Sequence, residues 1–386
     1  MPRSRKESDA KAIAKLVASD ETAKPSAVSF LQRLAELDLE LFKLAEARIQ
    51  LVRDWESQSN KHPDLIGKPP SIWDQLSSNS DAVSKLSPDS LLKPGLGSEL
   101  LRTMVGATQY SLESPTPVAY LGPIYSYSYL AAAQYFSSGA QLSAVSTIAA
   151  VFEEIVRNQA DYGVVPIENS TDGRVVDTFT MFAKVPVGIC GEVLLPIHHC
   201  LLGRCSREEI REVYSKPQAL SQCRYWLSQH VPDARLIEIS STTAAARLAA
   251  DTPGVAAVAS MEAGMHYGLN VIQKNIEDNP NNLTRFAVIG HRTPERTGND
   301  KTSLMFQIPH QSGALANAMQ LFSKAKLNMT WIESFPIPGN SSEYLFFIEF
   351  EGHRTDKNVA SALSALAKQT IRLSVLGSYP RGKIIG

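Results

Sequence analysis

From Phe30 the apolar positions run Phe30, Leu34, Leu37, Leu41, Leu44 and Leu51, in alternating steps of four and three. One position on that stripe is not apolar: Arg48 falls where the next leucine is due. The spacing keeps all of these residues on one narrow face of a helix. It predicts one long amphipathic helix ending near Trp55, with a seam that wants a partner helix from a second copy of the chain. At least a homodimer is therefore expected. Residues 1–27 are polar and charged and read as a loose tail. A second helix is expected over 71–78 or 80–86, among prolines and serines. A third, Leu100 to Leu112, carries Leu100, Leu101, Met104, Val105 and Thr108 on one side. Residues 28–113 thus read as an all-α domain, closed by the linker Ser114-Pro115-Thr116-Pro117.

The rhythm then changes. Over 118–292, short β-rich runs (Val118 to Leu121, Tyr162 to Val165, Cys190 to Leu194, Glu212 to Tyr214, Leu236 to Ile239, Val255 to Ala259, Ala287 to Ile289) alternate with helical stretches. That alternation implies a mostly parallel sheet covered on both faces. Over 300–380 the order becomes strand Leu304–Ile308, helix 313–326, strands Met329–Phe335 and Tyr344–Phe350, helix 357–369 and strand Val375–Tyr379. This is the βαββαβ order of the ferredoxin-like split unit.

At 386 residues the chain suits two or three domains, and 44% hydrophobic with 20% charged residues is ordinary for a soluble globular protein. A net charge of -1 offers no basic field to nucleic acid or an acidic membrane surface. No apolar run is long enough to span a bilayer, and the basic N-terminus lacks the apolar core of a secretory signal. Cys190, Cys200, Cys205 and Cys223 show no C-x-x-C spacing and read as free, mostly buried thiols of a cytoplasmic protein. His198, His199 and Cys200 adjoin, but consecutive residues on a strand point to opposite faces, and no metal is expected.

The densest chemistry lies at 164–178, Val-Val-Pro-Ile-Glu-Asn-Ser-Thr-Asp-Gly-Arg-Val-Val-Asp-Thr. Tyr162 to Val165 reads as a buried strand that Pro166 ends, because proline has no N–H to donate. Glu168, Asn169, Ser170, Thr171, Asp172 and Gly173 follow, before Val175, Val176 and Phe179 resume helical spacing. The run reads either as an ordinary helix cap or as an anion-binding loop at a helix N-terminus. One cap needs one such residue, so the length of the run favours the loop.

The run resembles P-I-E-N-S-x-x-G-x-V-x-x-T, the signature of the prephenate dehydratase family. Thr284-Arg285-Phe286 is similar to that family's T-R-F, and Ser215-Lys216-Pro217-Gln218-Ala219-Leu220-Ser221-Gln222-Cys223 to its S-H-P-Q-A-L-x-Q-C. Ser241 to Ala245, and Tyr267-Gly268-Leu269 with Ile276 to Asp278, resemble further family motifs in the family's order. The chain as a whole resembles the bifunctional chorismate mutase–prephenate dehydratases of phenylalanine synthesis. The resemblance implies a chorismate-mutase-like helical domain, a two-lobed, periplasmic-binding-protein-like α/β domain with its site between the lobes, and a ferredoxin-like ACT domain. It implies prephenate as substrate, chorismate as a second candidate, L-phenylalanine as effector, and no cofactor. Thr284 would assist the leaving hydroxide. Asn169, Ser170, Thr171, Ser215, Gln222, Arg285 and Ser126 would bind substrate, with Arg285 as a carboxylate clamp or a partner of Glu277 or Asp278. Arg48 matches a mutase-site arginine. Gly313, Ala314, Leu315, Asn328, Glu333 and Ser334 match the regulatory motifs.

Some positions depart from the pattern. Tyr125 stands for a glycine and Tyr129 for a histidine in the loop Gly122–Tyr129, and Phe335 stands for the arginine of E-S-R-P. Leu31, Ser59 and Leu112 occupy positions of mutase-site polar residues, which Arg33, Lys61 or Lys68 would have to replace. Loss of mutase activity is expected. A non-catalytic sensor of aromatic metabolites is the alternative from another class.

Overall fold

The computed structural model describes residues 27–61, 94–112, 115–337, 340–382 and 384. The chain divides into two compact units between Pro69 and Pro70. In the first, helix α1 spans Ala27–Lys61, one and a half turns beyond Trp55, and Leu34, Leu37, Leu41, Leu44 and Leu51 all stand exposed along it. The helix expected within 71–86 lies outside the described residues.

Helix α2, Pro94–Ser111, begins earlier than its apolar stripe because Pro94 can open the first turn without losing a hydrogen bond. It belongs to the second unit and packs against the short turn Ser137–Gly139.

The first lobe carries β1 Thr116–Leu121, α3 Tyr127–Phe136, β2 Ala140–Val145, α4 Ile148–Val156, β3 Tyr162–Asn169, β4 Gly173–Arg174, α5 Val176–Lys184 and β5 Gly188–Pro196. Its sheet runs β2-β1-β3-β11-β5, where β11 (Leu283–Gly290) arrives from the far side of the second lobe and pairs antiparallel with both neighbours. The second lobe holds β6 Cys200–Gly203, β7 Glu212–Ser215, α6 Pro217–Gln222, α7 Arg224–His230, β8 Arg235–Glu238, α8 Thr242–Asp251, β9 Val255–Ala259, α9 Met261–His266 and β10 Asn270–Gln273, in sheet order β10-β6-β9-β7-β8. Both sheets mix parallel and antiparallel pairs. The central strands are apolar on both faces, as sheets covered twice require. Hydroxyls cap the helices that cover them: Ser126 for α3, Thr147 for α4, Ser241 for α8 and Ser260 for α9.

Pro166 does not end β3. The β1 side of the ladder stops at Val164, so no neighbour there needs the missing N–H. On the β11 side a register shift between Arg285 and Phe286 absorbs it.

The last 87 or so residues give β12 Asp300–Gln307, α10 Ala314–Lys324, β13 Met329–Ile337, β14 Asn340–Glu351, α11 Lys357–Ala367 and β15 Arg372–Pro380, an antiparallel sheet ordered β13-β14-β12-β15. One face of this sheet joins the first lobe in a shared core that includes Phe179, Ile289, Phe347 and Tyr379. Phe335 lies in that core against Phe179, so its place is a packing position. No helix among the described residues is long and apolar enough to cross a membrane.

Candidate active site

The chain leaves the first lobe after Pro196 and returns through Ile276–Asn282. These two crossings bond to each other: Ile276 N–H donates to His199 O and Ile197 N–H to Asn282 O. The polar run after Ile167 meets them there. It is the turn of a hairpin between β3 and β4, and α5 starts only at Val176, without a side-chain cap. The expected helix N-terminus is therefore displaced from Asn169–Asp172. The N–H groups of Thr171 and Asp172 are not open to an anion either, because both donate to Asn169 Oδ1, at 2.9 and 3.0 Å.

Those two bonds orient a whole network. With Asn169 Oδ1 committed as acceptor, Nδ2 must donate, and it does so to Thr284 Oγ1 at 2.8 Å and Asn282 Oδ1 at 3.0 Å. Asn282 Nδ2 then donates to Gln222 Oε1 (3.0 Å), and Gln222 Nε2 to Asp172 Oδ2 (2.6 Å). His199 Nε2 lies 2.9 Å from Gln222 Oε1 and must carry a proton, while Tyr127 Oη, which donates to His198 O at 2.8 Å, lies 2.9 Å from His199 Nδ1. Burial pushes the His199 imidazole below its usual value, outweighing the Gln222 bond and the Glu277 charge, so the ring is neutral. At the other end Thr284 accepts from Asn169, and its own O–H is left to donate outward.

Asn169, Thr284, Gln222, Asn282 and His199 are all buried. A cavity of about 110 Å³ beside them is lined by Thr171, Ser221, Gln222, Glu277, Asp278, Asn279 and Asn282. Its carboxylates are tied down. Glu277 accepts from His199 N–H and pairs with His198 Nδ1, and Asp278 accepts the Tyr225 and Trp226 N–H groups at the start of α7. Asp172 bridges the lobes by accepting from Gln218 and Gln222. Organic ligands usually fill about 300 Å³ or more, so this cavity is smaller than such a ligand.

Three expected substrate ligands are placed otherwise. Arg285 follows Thr284 on β11 and so faces the opposite side of the sheet. There it bonds Glu168, Glu192 and Glu349 rather than Glu277 or Asp278, and it has no access to the cavity. Ser215 is wholly buried and donates to Val258 O at 2.6 Å. Ser126 caps α3, accepting from Tyr129 N–H and donating to Leu121 O. Ser170 ties the returning crossing, with its Oγ accepting from Leu283 N–H and donating to Asn281 O. Gln222, readable as an exposed helix position, is buried in the network. Asn282, His199, Tyr127 and Asp172 were not among the expected substrate-binding or catalytic residues. Asn282 alone had a usable signal, lying two residues before Thr284 on an extended chain.

Tyr125 has φ +63°, the conformation for which the glycine of the family pattern is suited. Its ring lies 4.3 Å from that of His266 and 5.2 Å from that of Tyr129, and its carbonyl accepts from Ser260, so the loop is braced against the second lobe. In the C-terminal sheet, Gly313, Ala314 and Leu315 line a cavity of about 560 Å³ with His310, Tyr344 and Phe346. Asn328 precedes β13 and is not among that lining. Neither are Glu333 and Ser334, which bond Arg174 of the first lobe instead. All four cysteines are free, and Cys190, Cys200 and Cys223 are buried. Among the described residues no group of three His, Cys, Asp or Glu side chains is placed to hold a metal ion.

Residues 118–294 match the family profile described as prephenate dehydratase. The bifunctional chorismate mutase/prephenate dehydratase of Aquifex aeolicus is 42% identical over 272 residues, 70% of this chain and 75% of that protein. The chain belongs to the prephenate dehydratase family. The prephenate dehydratase of Amycolatopsis methanolica is 35% identical over 269 residues, 68% of this chain and 88% of that one. The crystal structure of the Arthrobacter aurescens prephenate dehydratase in complex with L-Phe superposes with a TM-score of 0.64 at 33% identity, covering 69% of this chain and 90% of that one. The N-terminal helices lie outside the family profile.

Proposed function

We propose that this cleft carries out the decarboxylating dehydration of prephenate to phenylpyruvate, the step that makes the aromatic ring of phenylalanine. Prephenate is a dianion whose ring loses carbon dioxide from its quaternary carbon and hydroxide from the carbon opposite. Electrons from the breaking C–C bond become ring π electrons as the C–O bond breaks, so aromatisation supplies much of the driving force. The enzyme must hold the dianion and stabilise the departing oxygen.

The observation that carries the reading is the direction of the Thr284 hydroxyl. Asn169 donates to its oxygen and so leaves its proton for a substrate atom. That proton would hydrogen-bond the leaving oxygen as negative charge grows there. Gln222, now donating to Asp172, would turn that donor to a substrate carboxylate once the lobes part, and Ser170 and Thr171 would border the same anion.

By the same reading the C-terminal sheet is an ACT domain whose cavity beside Gly313–Leu315 takes L-phenylalanine, with Asn328, Glu333 and Ser334 supplied by a second copy. The L-Phe complex of the Arthrobacter aurescens relative supports this effector. Helix α1, with its exposed seam, serves a dimer. The helical region (28–113) converts chorismate at most weakly, because Leu31, Ser59 and Leu112 stand where the resemblance expects polar groups that such a dianion would need. Four free thiols suit a cytoplasmic enzyme.

The test is prephenate turnover by the purified chain, followed by phenylpyruvate absorbance. Thr284→Val keeps the side-chain shape and removes the donor, and should lower kcat by about a hundredfold with KM little changed. Unchanged kcat would rule out Thr284 as the assisting group. Absence of turnover in the wild type, with prephenate still raising the melting temperature, would favour the metabolite sensor.

A further inference from the structure

Asn169 and Thr284 are directly opposed on the ladder between β3 and β11, and so are their neighbours Glu168 and Arg285. Successive side chains on a strand point to opposite faces. The same stretch of ladder therefore carries the Asn169–Thr284 bond toward the cleft and the Glu168–Arg285 ion pair toward the C-terminal sheet.

On that second face all four strands of the C-terminal sheet converge. Arg285 donates to Glu168 at 2.8 Å, to Glu192 of β5 at 3.0 Å and to Glu349 of β14 at 2.8 Å. Its guanidinium lies 4.9 Å from the ring centre of Trp331 on β13. Lys301 of β12 stands 3.0 Å from Glu192 and 3.4 Å from Glu349, and Tyr379 of β15 donates to Glu349. Burial alone would turn Arg285 toward neutrality, but the Glu349 and Glu192 charges overcome it and hold it more firmly protonated than usual. A second tie reaches the same ladder. Arg174 of β4 opposes Glu168, bonds the Glu333 carboxylate and donates to Ser334 O at 3.1 Å on β13.

Three carboxylates around two cations make poor glue, since an apolar joint of the same size would hold at least as well. What such a joint supplies is fixed direction. We propose that Arg174 and Arg285 are positioning residues, which set the Asn169–Thr284 pair from behind and tie its geometry, through Glu333 and Glu349, to the C-terminal sheet.

The proposal takes its catalytic meaning from the prephenate dehydratase reading, so its test carries one readout that does not need turnover. In the full chain, Arg174→Ala, Arg174→Lys and Glu333→Gln change partly exposed side chains. For each, kcat and KM for prephenate, the melting temperature, and backbone amide exchange at Thr171 and Asp172 are measured. Those two amides report on Asn169 directly. Arg174→Ala and Glu333→Gln should each lower kcat about tenfold, with KM held within about twofold and the melting temperature nearly unchanged. They should also speed exchange at Thr171 and Asp172, and Arg174→Lys should restore most of both effects. Wild-type exchange at these amides in Arg174→Ala overturns the proposal, as does a kcat loss that only follows a fall in melting temperature. If the wild type does not turn over prephenate, the functional reading falls by itself. Exchange then decides the proposal alone: faster in Arg174→Ala upholds the joint, unchanged overturns it.

Discussion

Two backbone N–H groups, those of Thr171 and Asp172, set which way the hydroxyl of Thr284 can point, and the consequence can be tested by changing one atom. Asn169→Asp keeps the acceptor that binds both N–H groups and replaces the donating Nδ2 with a second acceptor. The Thr284 proton would then turn inward to the carboxylate, and Asn282 Oδ1 would face a like dipole. The kcat should fall about as far as in Thr284→Val, about a hundredfold, although the substitution is isosteric. His199 gives a second prediction. Burial lowers its pKa from the usual 6.5 or so, so the folded chain binds fewer protons there than the unfolded chain. Stability from this residue is complete above about pH 6.5 and is lost as pH falls below it. Urea unfolding between about pH 7.5 and 5.5 should show an acid-side loss for the wild type that is shallower in His199→Gln. Asn169 was legible as chemistry because its run is dense in hydrogen-bonding side chains, whereas Thr284 was legible only through the family's T-R-F motif. The misplacement of Arg285 was avoidable, since strand alternation puts neighbours on opposite faces. Ser215 and Ser126 were not separable from the site by sequence, because a hydroxyl bonding its own backbone looks like one that binds a ligand.

At the scale of elements, the long helix, the central strands and the βαββαβ order were readable, because each rests on a strong hydrophobic period. Strands β2, β6 and β10 went unread: β2 and β10 are edge strands with few buried positions, and β6 has only four residues. The contact between β5 and β15, which joins the catalytic lobe to the C-terminal sheet, carried no signal either. It depends on close backbone approach. A Cβ at Gly377 would lie 2.0 Å from Ile189 O, and one at Gly188 would lie 2.8 Å from Leu376 O. Gly377→Ala must therefore push the two strands apart, and should destabilise the chain by about 2 kcal/mol or more in urea unfolding. Alanine should be tolerated far better at Gly298, although a positive φ there adds some strain, because nothing lies within 4 Å of that position.

For the whole molecule, the outstanding feature is the apolar seam of α1, where Leu37, Leu41 and Leu44 are 55%, 63% and 64% exposed. Soluble chains rarely leave such a stripe open, and its narrow heptad-like spacing suits a helix of its own kind. Sedimentation at micromolar concentration should find a dimer or larger assembly. The double substitution Leu37→Arg/Leu44→Arg should shift it toward smaller species while KM for prephenate changes little. A wild-type monomer would contradict the assignment of α1 to assembly.

By itself the sequence determined the long helix, the change of rhythm at the linker, the βαββαβ order and the family, because these follow from short-range periods and from motifs of contiguous residues. The tertiary structure alone decided which of the motif residues share a site. Asn169, Gln222, Asn282 and Thr284 come together because β11 returns across the second lobe to lie between β3 and β5, an insertion that no local pattern encodes. The same insertion places Arg285 on the far face, among carboxylates from strands near 168, 192 and 349. Hydrogen-bond direction was likewise beyond the sequence, since a proton's position depends on which partners the fold has already used.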